Sequence, residues 1–66
     1  MKVHVDLAAD ALYIILGEAD VLESEEVQPG VIFDFDDENR VVAIEILCAS
    51  ERVPSANLKQ IEFEVA

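Results

Sequence analysis

The sequence predicts a mainly β fold, α+β with at most one short helix. It consists of a small antiparallel sheet of about five to six strands, joined as hairpins or a meander and packed as a dimer. Three observations carry this. Apolar and polar residues alternate with period two in separate stretches. Turn-forming residues punctuate those stretches at short intervals. Two strands are apolar on both faces, which is more than a lone small sheet can cover.

Val3 and Val5 alternate with Lys2, His4 and Asp6, the pattern of a strand with one face buried. Ala8, Ala9 and Asp10 interrupt it. Residues 11–16 follow as a run apolar on both faces, in which Tyr13, Ile14 and Ile15 favour strand over helix. Bounded by Asp10 and Gly17, this run suits a central strand.

Residues 20–27 satisfy two patterns. Glu and Leu are good helix formers, whereas Val21, Glu23, Glu25 and Val27 share one side of a strand. The segment reads as an edge strand whose charges discourage edge-to-edge aggregation, closed by the turn pair Pro29-Gly30.

Beyond it, Val31, Phe33 and Phe35 alternate with Ile32, Asp34 and Asp36, and Val42, Ile44 and Ile46 mirror them. The connector Asp36-Asp37-Glu38-Asn39-Arg40 is short and polar, and Asn39 tolerates the left-handed backbone that a tight hairpin demands. The apolar pattern pauses over residues 49–52, and Pro54 with Ser55 opens one helical turn through Leu58. Residues 60–65 return to strict alternation, with Ile61, Phe63 and Val65 opposite Gln60, Glu62 and Glu64, so a last strand is expected.

Sixty-six residues form one domain, and a chain of this size buries only roughly 60% of its unfolded surface. The single cysteine, Cys48, excludes an intrachain disulfide. Residues 1–16 carry no charged-then-apolar leader, so a cytoplasmic protein is expected. The longest apolar run, 11–16, falls well short of the ~20 residues that a membrane-spanning helix requires.

Hydrophobic residues make up 53% of the chain while its formal net charge is -11. That hydrophobic share separates it from acidic disordered chains, which are poor in Ile, Leu, Val and Phe. Fifteen acids against four basic residues would repel a phosphate backbone, so no nucleic-acid partner is expected. Keeping an apolar domain in solution is the plain explanation of the acidity.

The sharpest motif is the run from Asp34 to Glu45, whose acids Asp34, Asp36, Glu38 and Glu45 fall at positions 1, 3, 5 and 12 of an EF-hand loop. Its context argues against calcium. Both flanks alternate as strands, and position 6 is Asn39 rather than glycine. A hairpin turn beside a solvated strand face explains the same residues, and a divalent-cation or small-ligand site at Asp34, Asp36 and Glu38 is the alternative reading. Cys48 and His4 are the only thiol and imidazole, on different expected strands. Cys48 reads as a small core residue and His4 as solvent-facing. Asp34 and Asp36 share a strand face at about 7 Å, but carboxylate pairs are common on acidic surfaces. No catalytic residue and no cofactor is expected. Asp10 before Ala11-Leu12-Tyr13-Ile14 reads as a structural cap on the preceding turn, with Tyr13 burying its ring and its hydroxyl meeting water or backbone.

Three separated motifs, Asp10-Ala11-Leu12-Tyr13-Ile14, Pro29-Gly30-Val31-Ile32-Phe33-Asp34 and Val41-Val42-Ala43-Ile44-Glu45-Ile46-Leu47, together resemble the prokaryotic family catalogued as domain of unknown function 2283. The resemblance spans roughly residues 1–52. It implies a mostly β domain without an established activity, sometimes found beside small toxin-like proteins, and hence an antitoxin-like role. The chain has Glu38-Asn39 where the family usually has Asp-Gly, and Cys48 where Asp or Asn is typical.

Between Glu18 and Glu38 lie nine acids and no Lys or Arg. The function expected from the residues is therefore a non-enzymatic, homodimeric interaction module. Its acidic surface, Glu23, Glu25, Glu26, Asp34, Asp36, Asp37 and Glu38, would engage a basic protein partner.

Overall fold

Five strands and one 3-10 turn follow one another along the chain in a computed structural model that describes residues 1–54 and 57–66. They are β1 (Lys2–Asp6), β2 (Ala11–Ile15), β3 (Glu23–Gln28), β4 (Val31–Phe35), β5 (Val41–Leu47) and the turn Ala49–Glu51. All pairings are antiparallel, in the order β1-β2-β5-β4-β3, so the expected mainly β class is correct. Hairpins join β1 to β2, β3 to β4 and β4 to β5. The remaining connection, residues 16–22, passes two intervening strands. It is pinned at both ends: the Leu16 and Gly17 N–H groups donate to the Val42 carbonyl at 2.8 and 3.3 Å, and the Leu22 N–H donates to Phe35 at 2.8 Å.

The ladder sorts the side chains, because residues opposite one another in an antiparallel pair share a face. Val3, Ile14, Ile44 and Phe33 form one row, with Val5, Leu12, Ile46 and Val31 beside it. This is the apolar face. The other face carries His4, Tyr13, Glu45 and Ile32 in one row and Ile15, Ala43, Asp34 and Ser24 in the next. Among the described residues the buried apolar ones are few: Val31, Val42, Ala43, Ala49 and Leu58. β2 is half-buried at all five positions, as a central strand apolar on both faces should be.

Each turn uses residues suited to it. Gly30, after Pro29, has φ 80°, and Asn39 takes φ 59° in the hairpin as its sequence position predicts. Asp10 and Cys48 are also left-handed, at 52° and 51°.

Several expectations are corrected. Residues 60–66 join no ladder despite their alternation, and Ile61, Phe63 and Val65 stand exposed. The edge strand begins at Glu23, and a register shift between Glu26 and Gln28 breaks the single row expected for Val21, Glu23, Glu25 and Val27. The helical turn expected over 54–58 lies partly outside the described residues. Within them, the Asn57 N–H donates to the Pro54 carbonyl at 2.8 Å and Leu58 is buried. A 3-10 turn also sits at Ala49–Glu51, where the apolar pattern pauses. Cys48 is exposed rather than a core residue: the chain turns out of the sheet there and Ala49, 1% exposed, takes the interior position.

Candidate functional site: two sets of carboxylates

The acids divide into a set absorbed by the fold and a set left on one edge. Asp34 lies on β4 between its neighbours β3 and β5 and is only 2% exposed. Its Oδ2 accepts from the Tyr13 hydroxyl and its Oδ1 from the Ser24 hydroxyl, both at 2.7 Å. The carboxyl thus joins β2, β4 and β3 through side chains, across the intervening β5. Expected on a solvated strand face, Asp34 is instead interior. Its partners come from strands on both sides, and a buried carboxyl is tolerable when its oxygens are hydrogen-bonded.

The consequences appear on its neighbours. The hydrogen bond to Asp34 comes first, then burial and the charges of Asp34 and Glu45, in raising the Tyr13 hydroxyl to about 12. Glu45, opposite Tyr13 in the ladder, is raised above the ordinary carboxylate range, first by burial and then by the nearby charge of Asp34. The hydroxyl of Tyr13 therefore finds a carboxyl, not the water or backbone partner expected for it.

Asp36 is likewise interior, at 3% exposure. Its Oδ1 accepts the N–H groups of Glu38 and Arg40, each at 2.9 Å, and its Oδ2 accepts from Arg40 Nε at 2.9 Å. The backbone hydrogen bond from Arg40 leads in holding Asp36 below the ordinary carboxylate range, against the opposing effect of burial; the Arg40 side chain and the Glu38 N–H add to it. Glu38 is exposed and pairs with Arg40 at 3.1 Å. The hairpin carboxylates are thus committed to closing the turn, and Asp34 points into a different network. Among the described residues no group of three or more His, Cys, Asp or Glu is placed to hold a metal ion, and Asp34, Asp36 and Glu38 are not brought together as one set.

Two further aspartates are structural. Asp6 accepts the Ala9 N–H at 3.0 Å and so caps the turn assigned to Asp10 from sequence. Asp10 reaches across the fold to Ser50, accepting its N–H at 3.0 Å and its hydroxyl at 2.7 Å. This anchor for the 3-10 turn was invisible in sequence, since 40 residues separate the partners. His4 and Cys48 do not form a pair across one ladder rung: His4 faces Tyr13 on β2, and Cys48 follows Leu47, which faces Ala11.

What remains outside is β3. All six of its residues are exposed, and Glu23, Glu25 and Glu26 have no ion-pair partner among the described residues, where both salt bridges belong to Arg40. Glu23 lies opposite Phe35 and Glu25 opposite Phe33, so these two acids border a pair of rings 6.5 Å apart on the apolar face. Glu18, Asp20 and Asp37 are exposed as well. No described helix is long and apolar enough to cross a membrane.

The chain belongs to the family described as Protein of unknown function (DUF2283), whose model matches residues 2–50. That span takes in all five strands and the start of the 3-10 turn, and leaves out residues 60–66. No curated protein and no solved structure matches the chain.

Proposed function

We propose that this DUF2283 member is a non-enzymatic interaction module that engages a basic protein through the β3 edge. One observation carries the reading: β3 is an outermost strand, exposed along its whole length, with three glutamates that have no ion-pair partner among the described residues. An edge strand offers free backbone donors and acceptors to an extended segment, and its charges choose the partner. Phe33 and Phe35 supply an apolar border beside those charges. The preferred partner is then an extended segment bearing Lys or Arg interspersed with apolar residues. With Asp34 and Asp36 withdrawn into the fold, the contact set contracts to Glu23, Glu25 and Glu26, with Asp37 and Glu38 near the hairpin. An antitoxin-like role, with a small basic toxin as partner, is the form the family resemblance supports.

The test is affinity purification from the producing cells at low salt, with wild type beside the triple reversal Glu23→Lys, Glu25→Lys, Glu26→Lys. A basic protein should co-purify with wild type, dissociate as salt rises, and be lost with the reversal. Retention of the same partner by the reversed protein, or recovery of nothing basic at low salt, removes the reading.

A further inference from the structure

The other outermost strand, β1, differs from β3 in chemistry, carrying Lys2 and His4 where β3 carries glutamates. These residues alternate as a strand does, yet join no ladder, leaving Ile61, Phe63 and Val65 at 57%, 71% and 88% exposure. Three large apolar side chains at every second position, all in water, are unusual unless something covers them. We propose that residues 60–66 of one copy add as a strand to the free edge of β1 in a second copy, and reciprocally, giving a two-fold dimer.

Placement comes first. Ile61 lines an apolar groove of about 230 Å³ with Val3, Val5, Leu12, Ile14 and Leu58, over the apolar face of β1 and β2. The segment therefore leaves the fold beside β1 and far from β3, at the opposite end of the strand order. In its own copy Ile61 sits over that face, and the backbone beyond it is left free to pair elsewhere.

Charge then selects the edge. β1 presents Val3 and Val5 to the apolar face and Lys2, His4 and Asp6 to the other. A strand laid beside it with Phe63 and Val65 over Val3 and Val5 necessarily puts Glu62 and Glu64 on the face of Lys2 and His4. Both alternations are satisfied at once. Laid along β3, the same segment would bring Glu62 and Glu64 to a strand already carrying Glu23, Glu25 and Glu26, and like charges across a pair are destabilising. The exchange would extend each sheet to six strands and cover the exposed apolar side chains of both copies.

Sedimentation equilibrium of the full chain at high micromolar concentration tests this, with far-UV circular dichroism confirming that each variant keeps its strands. Wild type should run at twice the 7.3 kDa chain mass. Phe63→Glu, at a site exposed in the single copy, should raise the dimer Kd at least about tenfold, equivalent to about 1.4 kcal/mol. Lys2→Glu should also weaken the dimer, and adding Glu62→Lys with Glu64→Lys should restore it. The β3 reversal used above should leave the dimer intact, which separates the two proposals. A monomer at high concentration, a dimer indifferent to Phe63→Glu, or failure of the charge exchange to restore Lys2→Glu overturns the assignment.

Discussion

Strand β3 and strand β4 with its following hairpin are neighbours of similar acidity, and they use it in opposite ways. β4 with its hairpin turns Asp34 and Asp36 inward, where five hydrogen bonds from Tyr13, Ser24, Glu38 and Arg40 satisfy them. β3 holds Glu23, Glu25 and Glu26 in water with no ion-pair partner among the described residues. The difference teaches that charge density is a poor guide to availability. A short aspartate on an inner strand is enclosed by its neighbours, while a long glutamate on an edge keeps its head in solvent.

The largest effect is expected from breaking the inner set. Asp34→Leu leaves the Tyr13 and Ser24 hydroxyls without their acceptor in a part-buried site and should cost about 2–4 kcal/mol in urea unfolding. A loss below about 0.5 kcal/mol, the scale of ordinary surface substitutions, would erase the distinction between the strands.

The chain's one tyrosine gives a direct reading of the same contact. Absorbance titration of the folded protein should show tyrosinate forming near pH 12. Because this pKa is raised on folding, the stability it contributes is complete below the unfolded value of about 10 and is lost as pH rises through the folded value. In Asp34→Leu, if folded, the midpoint should fall back toward the ordinary value.

Asp36 and Glu45 should tilt the acid limb in opposite directions. Asp36 is depressed, so its contribution is present above the unfolded carboxylate value and is lost as pH falls through the folded value. Glu45 is raised, so its ionisation works against folding and acidification relieves it. Thermal melts across the acid range should accordingly show a flatter loss for Asp36→Asn, on a lower plateau, and a gain near neutral pH for Glu45→Gln. Equal slopes for wild type and Asp36→Asn would remove Asp36 as the cause.

The smallest effect belongs to the outer set. Glu25→Gln should change stability by no more than about 0.5 kcal/mol, since nothing in the fold depends on that carboxylate. A larger loss would mean that β3 is structural after all.

Most of the sheet could be read from residue order alone. Alternation at Val3 and Val5, the apolar run of β2, and the mirrored strands flanking Asn39 are local patterns, and local patterns locate strands. Residues 60–65 show where that reasoning stops. They have a strand's alternation, but a strand exists only with a neighbouring backbone to bond, and in the single copy they join no ladder. The fate of the acids was equally hidden. Asp34 and Glu25 are indistinguishable as charged residues on alternating segments, and the contact from Asp10 to Ser50 joins distant parts of the chain. By itself the sequence determined the strands, the turns and the excess of negative charge, because these follow from side-chain type and spacing. Only the tertiary structure decided which carboxylates remain available to a partner, because burial depends on strand order, and the placement of β5 between β2 and β4 brings Tyr13 and Asp34 together.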